Sequence, residues 1–395
     1  MTEVPSSKPM MQDPKRVLPF ERVALVLQGG GALGAYQAGV FQALDEANIQ
    51  LDWLCGISIG AVNAALIAGN PPERRVERLR EFWEAVTKPQ MGASSFPWFS
   101  NPMWPTDAQT RLWTNRMSAF ATMLYGVPSF FSPRPIPPLG STAEKPDLVS
   151  YYDVAPLKAT LEKLVDFDII NSTPLRLSVG ATNVQTGQPV YFENVERKIA
   201  VQHIMASTSL PPGFPPTEID GEYFWDGGVV SNTPIQWVIG SKPRYTALVF
   251  QVDLWDATGE LPLDIAAANL RAMEIHSASR INVSLDQYRK IQHYRSALGK
   301  LLEQLPEDRR NDPEVQMLAE EAQVQIATLV QLKYQARKYE TAAKTFEFSR
   351  RAMEEHWKAG YEDTRAALDQ PEILELPHPS DAVRVFDVHK GWITE

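Results

Sequence analysis

The stretch 51-LDWLCGISIGAVNAALIAG-69 reads as a buried strand, a tight turn and a helix of small and apolar residues, stopped by Gly69, Asn70 and Pro71. Just upstream, 23-VALVLQGGGALGAYQAG-39 has the same order, with a strand over Val23–Leu27, a glycine-rich turn, and a helix from Tyr36 to Ala47. Two strand–turn–helix units in succession begin a parallel α/β sheet.

The two turns pose a chemical question. Gly29, Gly31 and Gly34 satisfy G-x-G-x-x-G, the pattern of a dinucleotide-binding turn, yet the free N–H groups of such a turn stabilise any anion, including the oxyanion of a reacting ester. A dinucleotide site needs an acidic residue at the carboxyl end of the second strand. Asp52 has roughly the right spacing but stands at the start of that strand, which runs directly into 56-GISIG-60. That is G-x-S-x-G, a nucleophile elbow, in which Gly56 and Gly60 flank Ser58 because side chains there would clash. A phosphate loop is excluded by the missing Gly-Lys-Ser/Thr. The pair of turns therefore favours an exposed serine beside an anion-stabilising loop over nucleotide binding.

Composition agrees. With 395 residues, 44% of them hydrophobic, the chain can bury a large core. Its formal charge of −10 argues against nucleic acid or anionic lipid as an electrostatic partner, so any membrane contact has to be apolar. The single cysteine, Cys55, excludes an internal disulfide framework and reads as a small buried strand residue. No secretory h-region stands near the N-terminus and no run of about 18 apolar residues occurs, so a cytoplasmic location is expected, with any lipid-surface contact peripheral.

Residues 1–20 are polar and proline-bearing and read as a flexible leader. The arginines between Pro72 and Val86 read as a solvated helix face. From 88 to 148 the chain turns rich in proline and aromatic residues, with FPWF at 96–99, PMWP at 102–105 and 130-FFSPRPIPP-138. Two readings of this insertion stand: an apolar lid or docking surface carried by Trp98, Phe99, Trp104, Phe130 and Phe131, or satellite core packing. Strands resume at 175–184, 189–193 and 245–255, with helices over Leu157–Val165 and Val201–Ser207. After Leu261 the pattern is mainly helical. Asp312 and Pro313 open a helix whose spacing runs through Val315, Leu318, Ala322, Ile326 and Leu329, a further helix covers about Glu347–Leu368, and Val383–Val388 reads as a short strand.

A serine hydroxyl needs a base. None of the six histidines sits in a recognisable triad setting. In 225-WDGG-228, Asp226 ends an aromatic strand, and Gly227 and Gly228 would let another backbone approach; the same residues also fit an ordinary Asp-Gly turn.

Taken in order, GGGxxG, GxSxG, 206-ASTSLPPGFPP-216 and DGG resemble the patatin-like phospholipase family, here of bacterial type with an additional helical C-terminal region. The resemblance covers roughly residues 21–255. It implies a three-layer α/β/α fold with a mainly parallel central sheet over 21–260, a helical extension over 261–395, and hydrolysis of lipid esters by a Ser-Asp dyad. Carried over motif by motif, Ser58 is the nucleophile, Asp226 the base, and Gly29, Gly30 and Gly31 the oxyanion donors. Leu33 departs from the family pattern, which often has a basic residue there. No cofactor or metal is expected. The expected partner is a lipid ester, with peripheral contact to a membrane or lipid particle and no nucleic acid. Two other functions stay open: an esterase on short acyl or hydroxyalkanoate esters, and a non-catalytic interaction protein.

Overall fold

The computed structural model describes residues 18–88, 108–137, 144–263, 265–278, 281–337, 339–340, 342–378 and 383–393. In chain order the strands are β1 (Arg22–Leu27), β2 (Trp53–Ile57), β3 (Ser132–Pro133), β4 (Tyr152–Asp153), β5 (Arg176–Asn183), β6 (Pro189–Glu193), β7 (Thr217–Ile219), β8 (Glu222–Asp226), β9 (Ala247–Asp253), β10 (Ala327–Lys333), β11 (Val383–Asp387) and β12 (Gly391–Trp392). The helices used below are α1 (Ala35–Glu46), α2 (Ile59–Ala68), α3 (Arg75–Val86), α4 (Ala108–Tyr125), α5 (Val201–Thr208), α6 (Ile235–Ile239), α7 (Ile265–Ser277), α8 (Pro313–Glu321) and α9 (Arg350–Leu368).

One ten-stranded sheet organises the chain. Its centre is parallel in the order β11-β10-β9-β1-β2-β5, with antiparallel β12 beyond β11 and antiparallel β6, β8 and β7 at the other end. One face buries Leu25, Leu27, Leu54, Leu177 and Phe250 beneath α1, α2, α3 and α9; the opposite face buries Val26, Cys55, Val249 and Leu329 against Ile235, Val238 and Ile239 of α6. The expected three-layer α/β/α fold is what forms. Near-continuous apolar strands follow from coverage on both faces. Cys55 is fully buried in β2, as its reading required.

The chain builds outward from β1 in two directions, through β2 to β5 on one side and through β9 to β11 on the other. The loops after β1 and β9 leave the carboxyl ends of neighbouring strands and meet there, where Gln28 Oε1 accepts from Leu254 N and Trp255 N. Asp52 lies at the other end of the sheet, where its Oδ2 accepts the Val23 N–H at 2.8 Å.

The C-terminal third is mainly helical, with the expected helix at Arg350–Leu368 and the expected strand at Val383–Asp387, and it departs from the sequence expectation at one segment. Asp312 does cap a helix, accepting the Glu314 N–H at 3.1 Å, but α8 ends at Glu321. Ile326 and Leu329 belong to the approach to β10 and to β10 itself, which pairs in parallel with β9, and β11 and β12 extend the same sheet. A continuously buried apolar run satisfies helical and strand periodicities alike, so spacing could not separate them. The Phe130–Phe131 pair is also not a docking surface: both rings are buried in an aromatic cluster with Phe82, Tyr152, Phe214 and Phe348. Trp98, Phe99 and Trp104 lie outside the described residues. Three arginines of α3 and its approach are paired, Arg74 to Glu77, Arg78 to Glu81 and Arg80 to Glu354, while the half-buried Arg75 donates to the Asn70 carbonyl at 3.2 Å.

Helix α9 packs directly across α1 at two glycines. A Cβ on Gly39 would run into the Trp357 carbonyl oxygen, and one on Gly360 into the Tyr36 carbonyl oxygen. Backbone has little room to yield, so Gly360→Ala is expected to cost about 1–3 kcal/mol or more. Thermal denaturation checks this; an unchanged Tm would show that the crossing can widen at no cost.

Candidate active site

Ser58 occupies the turn between β2 and α2 with φ 57° and ψ −127°, a conformation that L side chains rarely adopt. The turn is held tight on both flanks, since a Cβ on Gly56 would strike the Gly60 carbonyl and one on Gly60 the Leu27 carbonyl. The strain is that of an elbow that lifts a side chain out of the sheet at the N-terminus of a helix. Ser58 N–H donates to Ser207 Oγ at 3.0 Å, and Ser207 Oγ donates to the Gly180 carbonyl at 2.6 Å.

The glycine turn after β1 touches this serine. A Cβ on Gly29 would lie 2.9 Å from Ser58 Cβ. The Gly29 N–H is already donated to the Asn232 carbonyl at 3.4 Å, whereas the N–H groups of Gly30 and Gly31 have no acceptor among the described residues. Gly31 sits at φ +58° with Thr345 O 2.5 Å from where its Cβ would be, so both backbone conformation and space require glycine. Gly34 packs against Ile59 and Trp83. The turn is fixed from beneath by buried side chains: Gln28 Nε2 donates to Thr233 Oγ1 and Ser277 O, both at 2.8 Å, and Gln28 Oε1 accepts from Leu254 N at 2.6 Å and Trp255 N at 3.2 Å. Gln37 donates to the Gln28 carbonyl at 2.6 Å, and Asn63 to the Gly34 carbonyl at 3.0 Å.

Strand register delivers Asp226. Ser178, Val179 and Gly180 of β5 pair with β2 on one edge and β6 on the other. Pairing with β2 ends at Ile57↔Gly180, and β8 takes over the vacated edge from Ala181↔Asp226. Two strands running in opposite directions thus end head to head, and Asp226 meets Ser58 across that junction. Gly227 permits the meeting, since its Cβ would lie 2.8 Å from Gly180 O.

Asp226 is 1% exposed. Burial pushes its carboxyl up to about 7, against smaller downward effects from the Ser58 hydroxyl and the Gly228 N–H, which donates to Oδ1 at 2.7 Å. The Ser58 hydroxyl is near enough to act on the carboxylate, but no hydrogen bond of ordinary geometry closes between them, and Asp226 Oδ2 is a buried oxygen without such a partner. Catalytic contacts are commonly loose in ligand-free sites. His203 is engaged by Ala200, His356 by Glu340 and His389 by the Lys333 carbonyl, and no histidine bonds to Ser58 or Asp226 among the described residues.

Residues 25–239 match the family model described as patatin-like phospholipase, more than half of the chain, and residues 275–380 match a second model described as patatin phospholipase. The chain belongs to the patatin-like phospholipase family. It is 25% identical over 260 residues to lysophospholipase NTE1 of Saccharomyces cerevisiae, covering 63% of this chain and 12% of that protein. It is 42% identical over 73 residues to human patatin-like phospholipase domain-containing protein 6, covering 18% of this chain and 5% of that one. These relatives are thus many times longer than the parts matched. The crystal structure of VipD from Legionella pneumophila aligns with TM-score 0.39 and 16% identity, over 91% of this chain and 72% of that one.

Several residues that build the site were invisible in the sequence. The 206–216 motif was legible only as a resemblance, yet its two serines hold the backbones of both candidate residues: Ser207 Oγ accepts the Ser58 N–H, and the Ser209 carbonyl accepts the Asp226 N–H at 3.0 Å. Gln28, immediately after β1, was the one signal for the network beneath the turn. Asn232 and Trp255 carry no local signature. Among the described residues no group of three or more His, Cys, Asp or Glu could hold a metal, and no helix is long and apolar enough to cross a membrane.

Proposed function

We propose that the chain is a serine acyl hydrolase that cleaves lipid esters, with Ser58 as nucleophile, Asp226 as its base, and the Gly30 and Gly31 N–H groups as oxyanion donors. The observation that carries the reading is a fully buried carboxyl with its pKa raised to about 7 beside a serine held at φ 57°. Near neutral pH such a carboxyl both accepts and returns a proton. Asp226 takes the hydroxyl proton as Oγ attacks the ester carbonyl, and the tetrahedral oxyanion forms against the glycine turn. Collapse expels the alcohol, which leaves with the proton from Asp226, and an acyl-enzyme remains. Water then gives its proton to Asp226, attacks the acyl carbon and releases the fatty acid, restoring the serine.

A lipid substrate is supported by the rim. Leu210, next to Ser209, is 48% exposed, and Val229 and Val230, three and four residues after Asp226, are 36% and 48% exposed, an apolar border suited to an acyl chain. The yeast relative, named a lysophospholipase, points the same way. A panel of phospholipids, lysophospholipids, neutral glycerides and short acyl or hydroxyalkanoate esters tests the substrate class; preference for the short esters would remove the lipid assignment and leave the chemistry.

The base also sets a pH dependence. Asp226 has to be ionised to accept the proton, and burial raises its pKa to about 7, so kcat/KM is expected to rise tenfold per pH unit below about pH 7 and level off above it. A rate that stays flat between about pH 5 and pH 9 would show that a group of ordinary carboxylate pKa, or none, is the base.

A further inference from the structure

The Gly29–Gly30 peptide is held by its oxygen. Gly29 O accepts from Trp255 Nε1 at 2.9 Å and from Asn232 Nδ2 at 3.0 Å. A peptide unit is planar and trans, so its carbonyl and its N–H point in opposite directions. Two donors that fix the oxygen therefore also fix the direction of the Gly30 N–H, the group left without an acceptor among the described residues. They polarise the unit as well, which strengthens that N–H as a donor.

Asn232 belongs to the loop that carries Asp226, but Trp255 follows β9, beyond the residues 25–239 matched by the first family model. Its indole is 5% exposed. Its backbone N–H is tied to Gln28 Oε1 at 3.2 Å, and the Lys344 ammonium lies 5.1 Å over its ring. That ammonium is itself buried and paired with Glu274 at 2.8 Å. The ring is thus gripped on its face by a charge that has few other places to go, and its N–H has one acceptor.

We propose that Trp255 is a positioning residue that aims the Gly30 N–H at the oxyanion of the reacting ester. This rests on the reading of the glycine turn as the oxyanion hole. Trp255 touches no reacting atom; it acts through the peptide plane, so its contribution appears when charge develops on the substrate oxygen and not when the neutral ester binds.

Trp255→Phe keeps an aromatic ring under Lys344 and removes the N–H. On a soluble short-chain ester its kcat is expected to fall about tenfold, a fraction of the 10²–10³ that a lost oxyanion donor costs, with KM changed less than twofold and Tm by a few degrees. Benzothienylalanine at 255 replaces the N–H by sulfur in nearly the same shape, and the same loss of kcat is expected if Phe repacks the site or fails to fold. Full kcat with benzothienylalanine at 255, or a raised KM at constant kcat, overturns the inference. Gly30→Val separates the two layers of the argument. If Gly30→Val turns over at full rate, the oxyanion reading falls and this inference with it; if Gly30→Val is slow while both Trp255 variants run at full rate, the positioning role alone is lost.

Discussion

Ser58→Ala and Asp226→Asn are each expected to reduce turnover of any ester substrate by about 10⁴-fold or more, and the double variant by little beyond either alone. The reason is that the two act as one unit: the hydroxyl is no nucleophile until its proton has an acceptor, and without the hydroxyl the carboxylate has no proton to take. Single His→Asn variants at the six histidine positions are expected to stay active, because the partners of His203, His356 and His389 lie elsewhere. A histidine variant as inactive as Ser58→Ala would make the enzyme a triad hydrolase and remove Asp226 as the base. Asp226→Asn carries a second, opposite effect on stability. Burial raises the folded-state pKa of Asp226 from 3.8 to about 7, so between those values the native state keeps a proton that the unfolded chain releases. Stability from this group is therefore present below the unfolded pKa and is lost as pH rises through the folded one. Asparagine does not titrate. The Tm of Asp226→Asn relative to the parent chain is expected to be higher at pH 8 than at pH 4; a pH-independent difference would mean that the carboxyl is not desolvated.

Gly30→Val and Gly31→Val are expected to lower kcat by about 10²–10³, the cost of one misplaced oxyanion donor. The two fail for different reasons. Gly30 is extended, and its substitution presses on Leu254, whose Cδ1 lies 2.6 Å from the added Cβ. Gly31 combines φ +58° with the Thr345 carbonyl at 2.5 Å, so valine there strains the backbone itself. Labelling with a serine-reactive phosphonate should slow in parallel, since phosphonylation also develops charge on an oxygen. Full activity in both variants would show that the turn serves only packing. Added NAD or ATP is expected to leave Tm unchanged, because Asp52, the residue a ribose would need, caps Val23 at the far end of the sheet.

The serine and the glycine turn could be read from sequence because their requirements are local. A strained turn bracketed by close backbone approaches tolerates only glycine at fixed spacing, so Gly56, Ser58 and Gly60 carry their geometry in the string of letters. Likewise, strand–turn–helix units with fully apolar strands specify a parallel sheet with both faces covered. Where a segment is buried all round, the letters lose that resolution. Ile326 and Leu329 continue the helical spacing of the preceding segment because uniform burial erases the period that distinguishes helix from strand, and only pairing with β9 fixes Ala327–Lys333 as a strand.

Asp226 marks the boundary between the two kinds of knowledge. In sequence it is an aspartate in an Asp-Gly turn, as suited to solvent as to chemistry. What suits it to the proposed role of base is the change of partner along β5 at Gly180 and Ala181, which ends β8 against β2 and removes the carboxyl from water. The raised pKa is a property of that burial, and the fixed direction of the Gly30 N–H is a property of an indole more than two hundred residues away in the chain. Sequence determined which groups are present and which turns they can form. Desolvation and long-range hydrogen bonding depend on what surrounds a group in space, and only the tertiary structure decides that.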